Sequence, residues 1–262
     1  MIEITSVLDS RIGLYRNLKD IFYTFSEKKL FIAEGSIVTE KLLQSDIEII
    51  SIFALKKFYN SDLVLINQKK IPPEKQFIAE KQVMNQIVGF RLHQGIMAIG
   101  KIPEQTPILD LKPPIIIMNG IVNSENVGAI VRNAVAFGIA SIIFDKTTSS
   151  PFLRRAVRVS MGTVFSIRYF QSENLFEDIM QLKLKNNFEI IASEITNKSK
   201  SIEHHIFNKN CVIIFGSEGK GISEEILRIC DEIIYIPISK NVDSLNVAAN
   251  SAIILNQLNS IK

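Results

Sequence analysis

From Ile115 onward, short unbroken apolar runs alternate with helix-length amphipathic segments, and this alternation constrains the fold more than any other feature of the chain. Candidate strands lie at 115–118, 141–144, 188–192, 212–215 and 232–236. Candidate helices lie at 126–137, closed by Gly138, at 152–159 with Pro151 near its start, and at 175–185, 223–229 and 244–258. A strand that is apolar at every position, rather than at alternate ones, must be covered on both faces. Crossover helices supply that cover, so the second half predicts an α/β fold on a mainly parallel sheet with helices on both faces.

The first half repeats the pattern on a smaller scale. Residues 30–33, 47–53, 63–66 and 95–99 have strand character, and a helix capped by Ser36 runs to Leu43. Leu14, Leu18, Ile21, Phe22 and Phe25 fall at helical spacing and predict a leading helix. Between the halves, Pro103, Pro107, Pro113 and Pro114 can neither continue a helix nor fill a central strand. The expected division is therefore a small α/β domain over 1–100, a linker over 101–114 and a larger domain over 115–262.

With 47% hydrophobic and 22% charged residues the chain has ample material for a core, which excludes a disordered protein. Its longest apolar runs are strand-length, far short of a membrane span. Met1 to Ser6 carries no basic, signal-like region, and Cys211 and Cys230 lack metal-ligand spacing. Reduced, buried thiols in a cytoplasmic protein are expected. A net charge of +3 permits a nucleic-acid partner without demanding one. The local cluster of Arg154, Arg155 and Arg158, with Arg168 nearby, is the more pointed signal.

Open parallel sheets bind ligands at the carboxyl ends of their strands, and three such ends here carry polar groups or glycines. After the first strand, Asn126 opens a helix on which Arg132 lies one turn from Gly128 and Ala129. That arginine is either a solvated surface residue or a guanidinium with room for something to approach it. After 212–215, Gly216, Gly219 and Gly221 surround Glu218. Their order matches neither the dinucleotide fingerprint nor the phosphate loop, leaving a structural turn or a ligand loop. After 232–236, Ser244 stands as a helix N-cap, with Asn246 either a capping accessory or a ligand contact. His93, His204 and His205 have no nucleophile or metal partner at recognisable spacing, and no serine sits in a nucleophile elbow.

Taken in order, these segments resemble the SpoU (TrmH) family of RNA ribose 2′-O-methyltransferases. The resemblance rests on Asn123-Ser124-Glu125-Asn126-Val127-Gly128-Ala129-Ile130-Val131-Arg132-Asn133-Ala134, on Ile214 to Ile222, and on Ile236-Pro237-Ile238 followed by Ser244-Leu245-Asn246-Val247-Ala248. Arg158-Val159-Ser160-Met161-Gly162 is similar to the family's R-x-S-x-G stretch. In the first half, Glu34-Gly35 and His93-Gln94-Gly95 resemble the opening and closing signatures of its substrate-binding domain. Asn119, Asn123 and Ser124 stand where the family often has Asp, Asp and Pro, and Ala248 replaces a frequent Ser.

The resemblance implies a SPOUT-type domain tied in a trefoil knot, binding S-adenosylmethionine, packed as a homodimer, and acting on ribosomal or transfer RNA, ribosomal RNA by preference. It implies cofactor contacts at Gly216, Ile236 and Leu245, and a reacting site of Asn126, Arg132, Glu218, Ser244 and Asn246. Arg154, Arg155 and Arg158 are expected to meet RNA phosphate. The family's proposal gives the hydroxyl proton to the arginine, yet a guanidinium with a pKa above ~12 is a poor base. Electrostatic stabilisation of the developing alkoxide suits Arg132 better. Two other readings stand beside this one: a non-catalytic RNA-binding or assembly protein on the same fold, and an α/β enzyme using a different nucleotide.

Overall fold

The structure, a computed structural model, describes residues 1–16, 18, 27–60, 71–89, 91 and 94–260. It forms two compact units, one of Met1–Pro103 with Phe152–Phe165, the other of Glu104–Pro151 with Ser166–Lys262. The segment carrying Arg154, Arg155 and Arg158 thus belongs to the first unit, although the residues on either side of it belong to the second.

In the first unit, strands β1 (Ile2–Glu3), β2 (Leu30–Glu34), β3 (Ile49–Ala54), β4 (Gln76–Ile78) and β5 (Ile96–Lys101) form a mixed sheet in the order β1-β4-β3-β5-β2. The β1-β4-β3 pairs are parallel, and β5 runs antiparallel to both β3 and β2. Helix α1 (Ser36–Gln44) buries Val38, Leu42 and Leu43 beside β2 and β5, while α2 (Lys56–Tyr59) and α3 (Lys81–Val88) follow β3 and β4. Ile12, Tyr15, Phe53, Met84, Met97 and Ile99 fill the core. Two phenols are buried there with their hydroxyls satisfied: Tyr15 lies 2.9 Å from Ser51 Oγ, and Tyr59 donates to the Phe77 carbonyl at 3.0 Å.

Leu14 sits in a 3-10 turn over Ser10–Tyr15, capped by the Asp9 side chain, rather than in the expected leading helix, because the backbone becomes extended at Arg16. Ile21, Phe22 and Phe25 of that helix, the strand at 63–66 and His93 lie outside the described residues. Ser36 is the first helical residue and not the cap; Gly35, at φ 94, takes the cap position.

The second unit carries β6 (Ile115–Asn119), β7 (Ser141–Asp145), β8 (Arg168–Ser172), β9 (Glu189–Ser193), β10 (Lys200–Ser201), β11 (Cys211–Gly216) and β12 (Glu232–Tyr235). Every pairing is parallel, in the order β10-β12-β9-β11-β6-β7-β8. Side chains alternate between faces along a strand. Ile115, Ile117, Val212 and Ile214 meet Leu175, Ile179 and Leu182 of helix α6 (Leu175–Asn186) and Ile226 of α7 (Glu224–Ile229). The intervening Ile116, Met118, Ile213 and Phe215 are equally buried on the opposite face. That face is covered by α4 (Ser124–Ala136) and α8 (Val247–Asn259), which pack on each other and bury Ile130, Val131, Ile254 and Leu258. The remaining helix, α5 (Arg154–Val159), packs on β2 in the first unit.

The expected strands and helices of this half are present with bounds shifted by a few residues, and β8 is an additional edge strand. Arg168, grouped by sequence with the basic cluster, opens that strand. Both cysteines are free, and burial pushes each thiol up to about 12. Among the described residues no helix is long and apolar enough to cross a membrane.

Candidate active site

The chain leaves β6 toward β7 and β8 on one side, then returns to build β9, β11 and β12 on the other. The order reverses between β6 and β11, whose last residues, Asn119 and Gly216, are paired. A crevice at such a reversal is where open parallel sheets bind ligands. Here the loops after β6 and β11 and the start of α8 meet.

The β11 loop is forced to double back. Gly221 donates to the Ser217 carbonyl at 2.9 Å, and Lys220 N reaches Ser217 Oγ at 3.2 Å. A Cβ on Gly216 would lie 2.6 Å from the Gly221 carbonyl carbon and 2.7 Å from Ile222 N, so only glycine fits at the strand end. Gly221 turns at φ +64, its α-carbon against the Glu194 carboxylate, which accepts from Ile222 N at 2.9 Å. Two of the three atoms such a Cβ would meet are backbone, which cannot swing aside. Gly216→Ala is therefore expected to cost about 1–3 kcal/mol of loop order and to weaken about tenfold or more, by calorimetry, any ligand that this loop holds.

Glu218 projects from this loop. Its Oε1 accepts from Asn246 Nδ2 at 2.9 Å and, in a short hydrogen bond, from Asn126 Nδ2. Asn246 Nδ2 also donates to Asn126 Oδ1 at 3.1 Å. Three residues from distant parts of the sequence are thus tied through one carboxylate oxygen, and Oε2 accepts from none of the described residues. Asn246, not Ser244, caps α8: its Oδ1 accepts from the Ala248 and Ala249 amides at 3.0 and 3.3 Å. Asn246 is therefore the cap itself, and it also ties Glu218 and Asn126; of the two roles that sequence left as alternatives, capping is the one the structure shows. Ser244 is displaced to the exposed loop before the helix because the asparagine carboxamide caps the helix and bonds Glu218 at once.

Beside this network lies a pocket of 470 Å³. Gly216, Glu218, Ile236, Ser244 and Leu245 all line it, as do Ser193, Glu194 and Asn250. Ser193 and Glu194 were not singled out from sequence. Ser193 and Glu194 are the first two residues after the candidate strand 188–192, so the same strand-end rule applied there would have found them. Asn250 Nδ2 and Ser193 Oγ hold each other at 3.0 Å, fixing α8 to the end of β9.

Arg132 is not brought to this pocket. It is exposed on α4, outside the pocket lining, with no hydrogen-bond partner among the described residues. The adjacent Asn133 faces α8 instead, donating to the Ala248 carbonyl at 2.8 Å and to Ser251 Oγ at 3.0 Å. Of the basic cluster, Arg154 is engaged by Glu34 at 2.6 Å, whereas Arg155 and Arg158 are exposed.

A buried carboxylate anchors the loop leading into α4. Asp145 accepts from Asn119 Nδ2 at 2.7 Å, Gly120 N at 3.2 Å, Thr147 Oγ1 at 2.9 Å and Thr148 N at 2.8 Å. Burial alone would raise its pKa, but the hydrogen bonds from Thr148, Gly120, Thr147 and Asn119 outweigh it and the net shift is downward. A lowered folded-state pKa stabilises the protein above the unfolded value of about 3.9 and loses that contribution as pH falls through the folded value. Asp145→Asn turns an acceptor into a donor facing these groups. We expect a loss of about 2–3 kcal/mol at neutral pH, and a smaller loss of thermal stability below about pH 4 than the parent suffers.

The SpoU rRNA Methylase family profile matches residues 113–256, more than half of the chain. An uncharacterized tRNA/rRNA methyltransferase of Mycobacterium tuberculosis is 28% identical over 235 residues, spanning 86% of this chain and 79% of that protein. A 23S rRNA (guanosine-2'-O-)-methyltransferase of Vibrio vulnificus is 30% identical over 172 residues, 62% of this chain and 68% of that protein. An AdoMet-bound rRNA methyltransferase from Sinorhizobium meliloti has the same fold, with a TM-score of 0.84 at 22% identity over 98% of this chain and 96% of that one. With its strand-end loops, its Asn-Glu-Asn network and these likenesses together, the chain belongs to the SpoU rRNA methylase family.

Proposed function

We propose that the protein transfers the methyl group of S-adenosylmethionine to a ribose 2′-hydroxyl of RNA, with ribosomal RNA as the substrate class. The observation that carries this reading is the Glu218 carboxylate, clamped by Asn126 and Asn246 at the mouth of the strand-end pocket.

The pocket suits the cofactor. Its 470 Å³ falls within the size range of small-molecule sites, about 300–1,000 Å³. Ile222, Ile236, Leu245 and Val247 give it apolar walls for an adenine ring, and the loops after β11 and β12 offer backbone groups to the ring edge. Glu194, Glu218 and Asp243 line it beside a single cation, Lys220, so the lining is net negative and complementary to a molecule bearing sulfonium and ammonium charges. Bound there, S-adenosylmethionine supplies an electrophilic methyl group. The chain's own contribution is placement: Gly216 admits the close approach, Ile236 and Leu245 hold the apolar part, and Glu218 Oε2 remains to accept a ribose hydroxyl. Alignment of that kind is worth about 7–11 kcal/mol of a barrier.

The protein acts, on this reading, as a homodimer. Arg132 lies outside the lining of its own chain's pocket and is unpaired among the described residues, so a second copy would bring its guanidinium to the reacting hydroxyl. There it stabilises the developing alkoxide, with Ser244 in the pocket wall and Asn246 holding Glu218. We infer that residues 236–246 between β12 and α8, of which Ile236, Ile238, Asp243, Ser244 and Leu245 line the pocket, are the segment threaded as a trefoil knot. Residues 1–100 act as the RNA substrate-binding domain, 101–114 as the linker and 115–262 as the methyltransferase domain, with Arg154, Arg155 and Arg158 meeting RNA. The protein works in the cytoplasm.

Incubation with methyl-labelled S-adenosylmethionine and, separately, ribosomal and transfer RNA tests this. Label entering ribosomal RNA is expected. Calorimetric cofactor binding with no label in either RNA would overturn the proposal in favour of a non-catalytic RNA-binding protein.

A further inference from the structure

The two signatures at the ends of the small domain, Glu34-Gly35 and Gln94-Gly95, play no part in methyl transfer as described above, yet the fold brings them together. They line a second pocket, of 220 Å³, wholly within the first unit, closed by Ile37, Val38, Ile96, Arg158 and Met161. Gly35 enters α1 at φ 94, a conformation that favours glycine, and a Cβ there would stand 2.8 Å from Gln94 Oε1.

The polar groups of this pocket are sorted by type. Glu34 is neutralised by Arg154, at 2.6 and 2.9 Å. Gln94 Oε1 accepts from Ser36 N at 2.5 Å and Ser36 Oγ at 3.0 Å, so the carboxamide is fixed and the start of α1 is already capped. Gln94 Nε2 and the exposed Arg158 guanidinium have no acceptor among the described residues. Gln94 thus turns its donor end to the pocket and Arg158 supplies a second donor, while Arg154 takes up Glu34 Oε2. Around them the wall is apolar, with Ile37 46% exposed despite its size.

Resting on the reading of the chain as an RNA enzyme, we propose that this pocket captures one unpaired nucleotide of the RNA substrate. The base lies against Ile37 and Met161 with an acceptor edge on Gln94 Nε2, and an adjoining phosphate meets Arg158. Proteins that read RNA single strands splay bases out in this manner, against apolar or planar side chains with hydrogen bonds at the base edge. A duplex offers no free base to such a pocket. The space, less than half that of the strand-end pocket, suits a base with part of its sugar rather than a second cofactor.

The test uses the full chain and a fluorescent 20-nucleotide single-stranded RNA containing 4-thiouridine, with the same sequence as a duplex for comparison. Irradiation of the single strand is expected to cross-link the peptides carrying Ile37 or Met161, and the duplex is not. Arg158→Ala is expected to weaken single-strand binding about tenfold and to reduce the slope of log K against log salt by about 0.7, one phosphate's worth, while Arg158→Lys retains the slope. Unchanged affinity and slope in Arg158→Ala, equal cross-linking of duplex and single strand, or cross-links confined to the second unit would each overturn the proposal. The readout is binding alone, and needs no variant for the cross-linking arm. A protein that cross-links as expected but methylates no ribose would overturn the proposed function and sustain this pocket.

Discussion

Arg132→Ala is expected to lower kcat for ribose methylation by roughly 10²–10³-fold, the loss seen when one preorganised stabiliser of a developing oxyanion is removed. Cofactor affinity should stay within about twofold, since the residue is exposed and outside the lining of its own pocket. Stability should move by no more than about 0.5 kcal/mol, because the side chain makes no hydrogen bond to the described residues. The same geometry gives a sharper consequence. At a cofactor concentration too low to fill the Gly216→Ala pocket, mixing Arg132→Ala with Gly216→Ala should raise activity above that of either variant alone, because one of the pockets in the mixed dimer is intact and faces an intact arginine. Absence of any such rise, with mixed dimers shown to form, would mean that each chain serves its own site.

Glu218→Ala is the second large effect. It removes the acceptor shared by Asn126 and Asn246, which join loops 120 residues apart in sequence. The side chain is exposed, so the folding cost should be modest, about 1 kcal/mol. The catalytic cost should be about 10²-fold or more, because small misplacements at a reacting centre are that expensive. Glu218→Gln separates two causes. Its amide oxygen can still bind both asparagines, but its nitrogen takes the place of Oε2. If glutamine restores activity, Glu218 only positions its neighbours; the proposed contact of Oε2 with the substrate hydroxyl predicts that it does not.

What the sequence disclosed and what it concealed divide along physical lines. Strands 115–118 and 212–215 were legible because both faces are buried and every position is apolar. β8 was not: Arg-Tyr-Phe-Gln-Ser is a partly exposed edge strand, and its arginine drew attention as charge instead. Ser244 and Asn246 are both good caps, and sequence had no means of knowing that Glu218 would hold one of them. Asn119 and Asp145 were never linked, since a contact across 26 residues depends on β6 and β7 lying side by side. The return of Phe152–Phe165 to the first unit was equally invisible. Its signal is tertiary, in Phe31 packing against Phe152 and Phe165 at 5.8 and 5.2 Å and in Arg154 pairing with Glu34.

The most direct test of the central claim is the position of the transferred methyl group. A ribose methylated on its 2′ oxygen lacks the nucleophile for alkaline cleavage of the neighbouring phosphodiester. After reaction with methyl-labelled S-adenosylmethionine and ribosomal RNA, complete alkaline hydrolysis should leave the label in an alkali-resistant dinucleotide. Label released wholly in mononucleotides, on the base, would contradict the account.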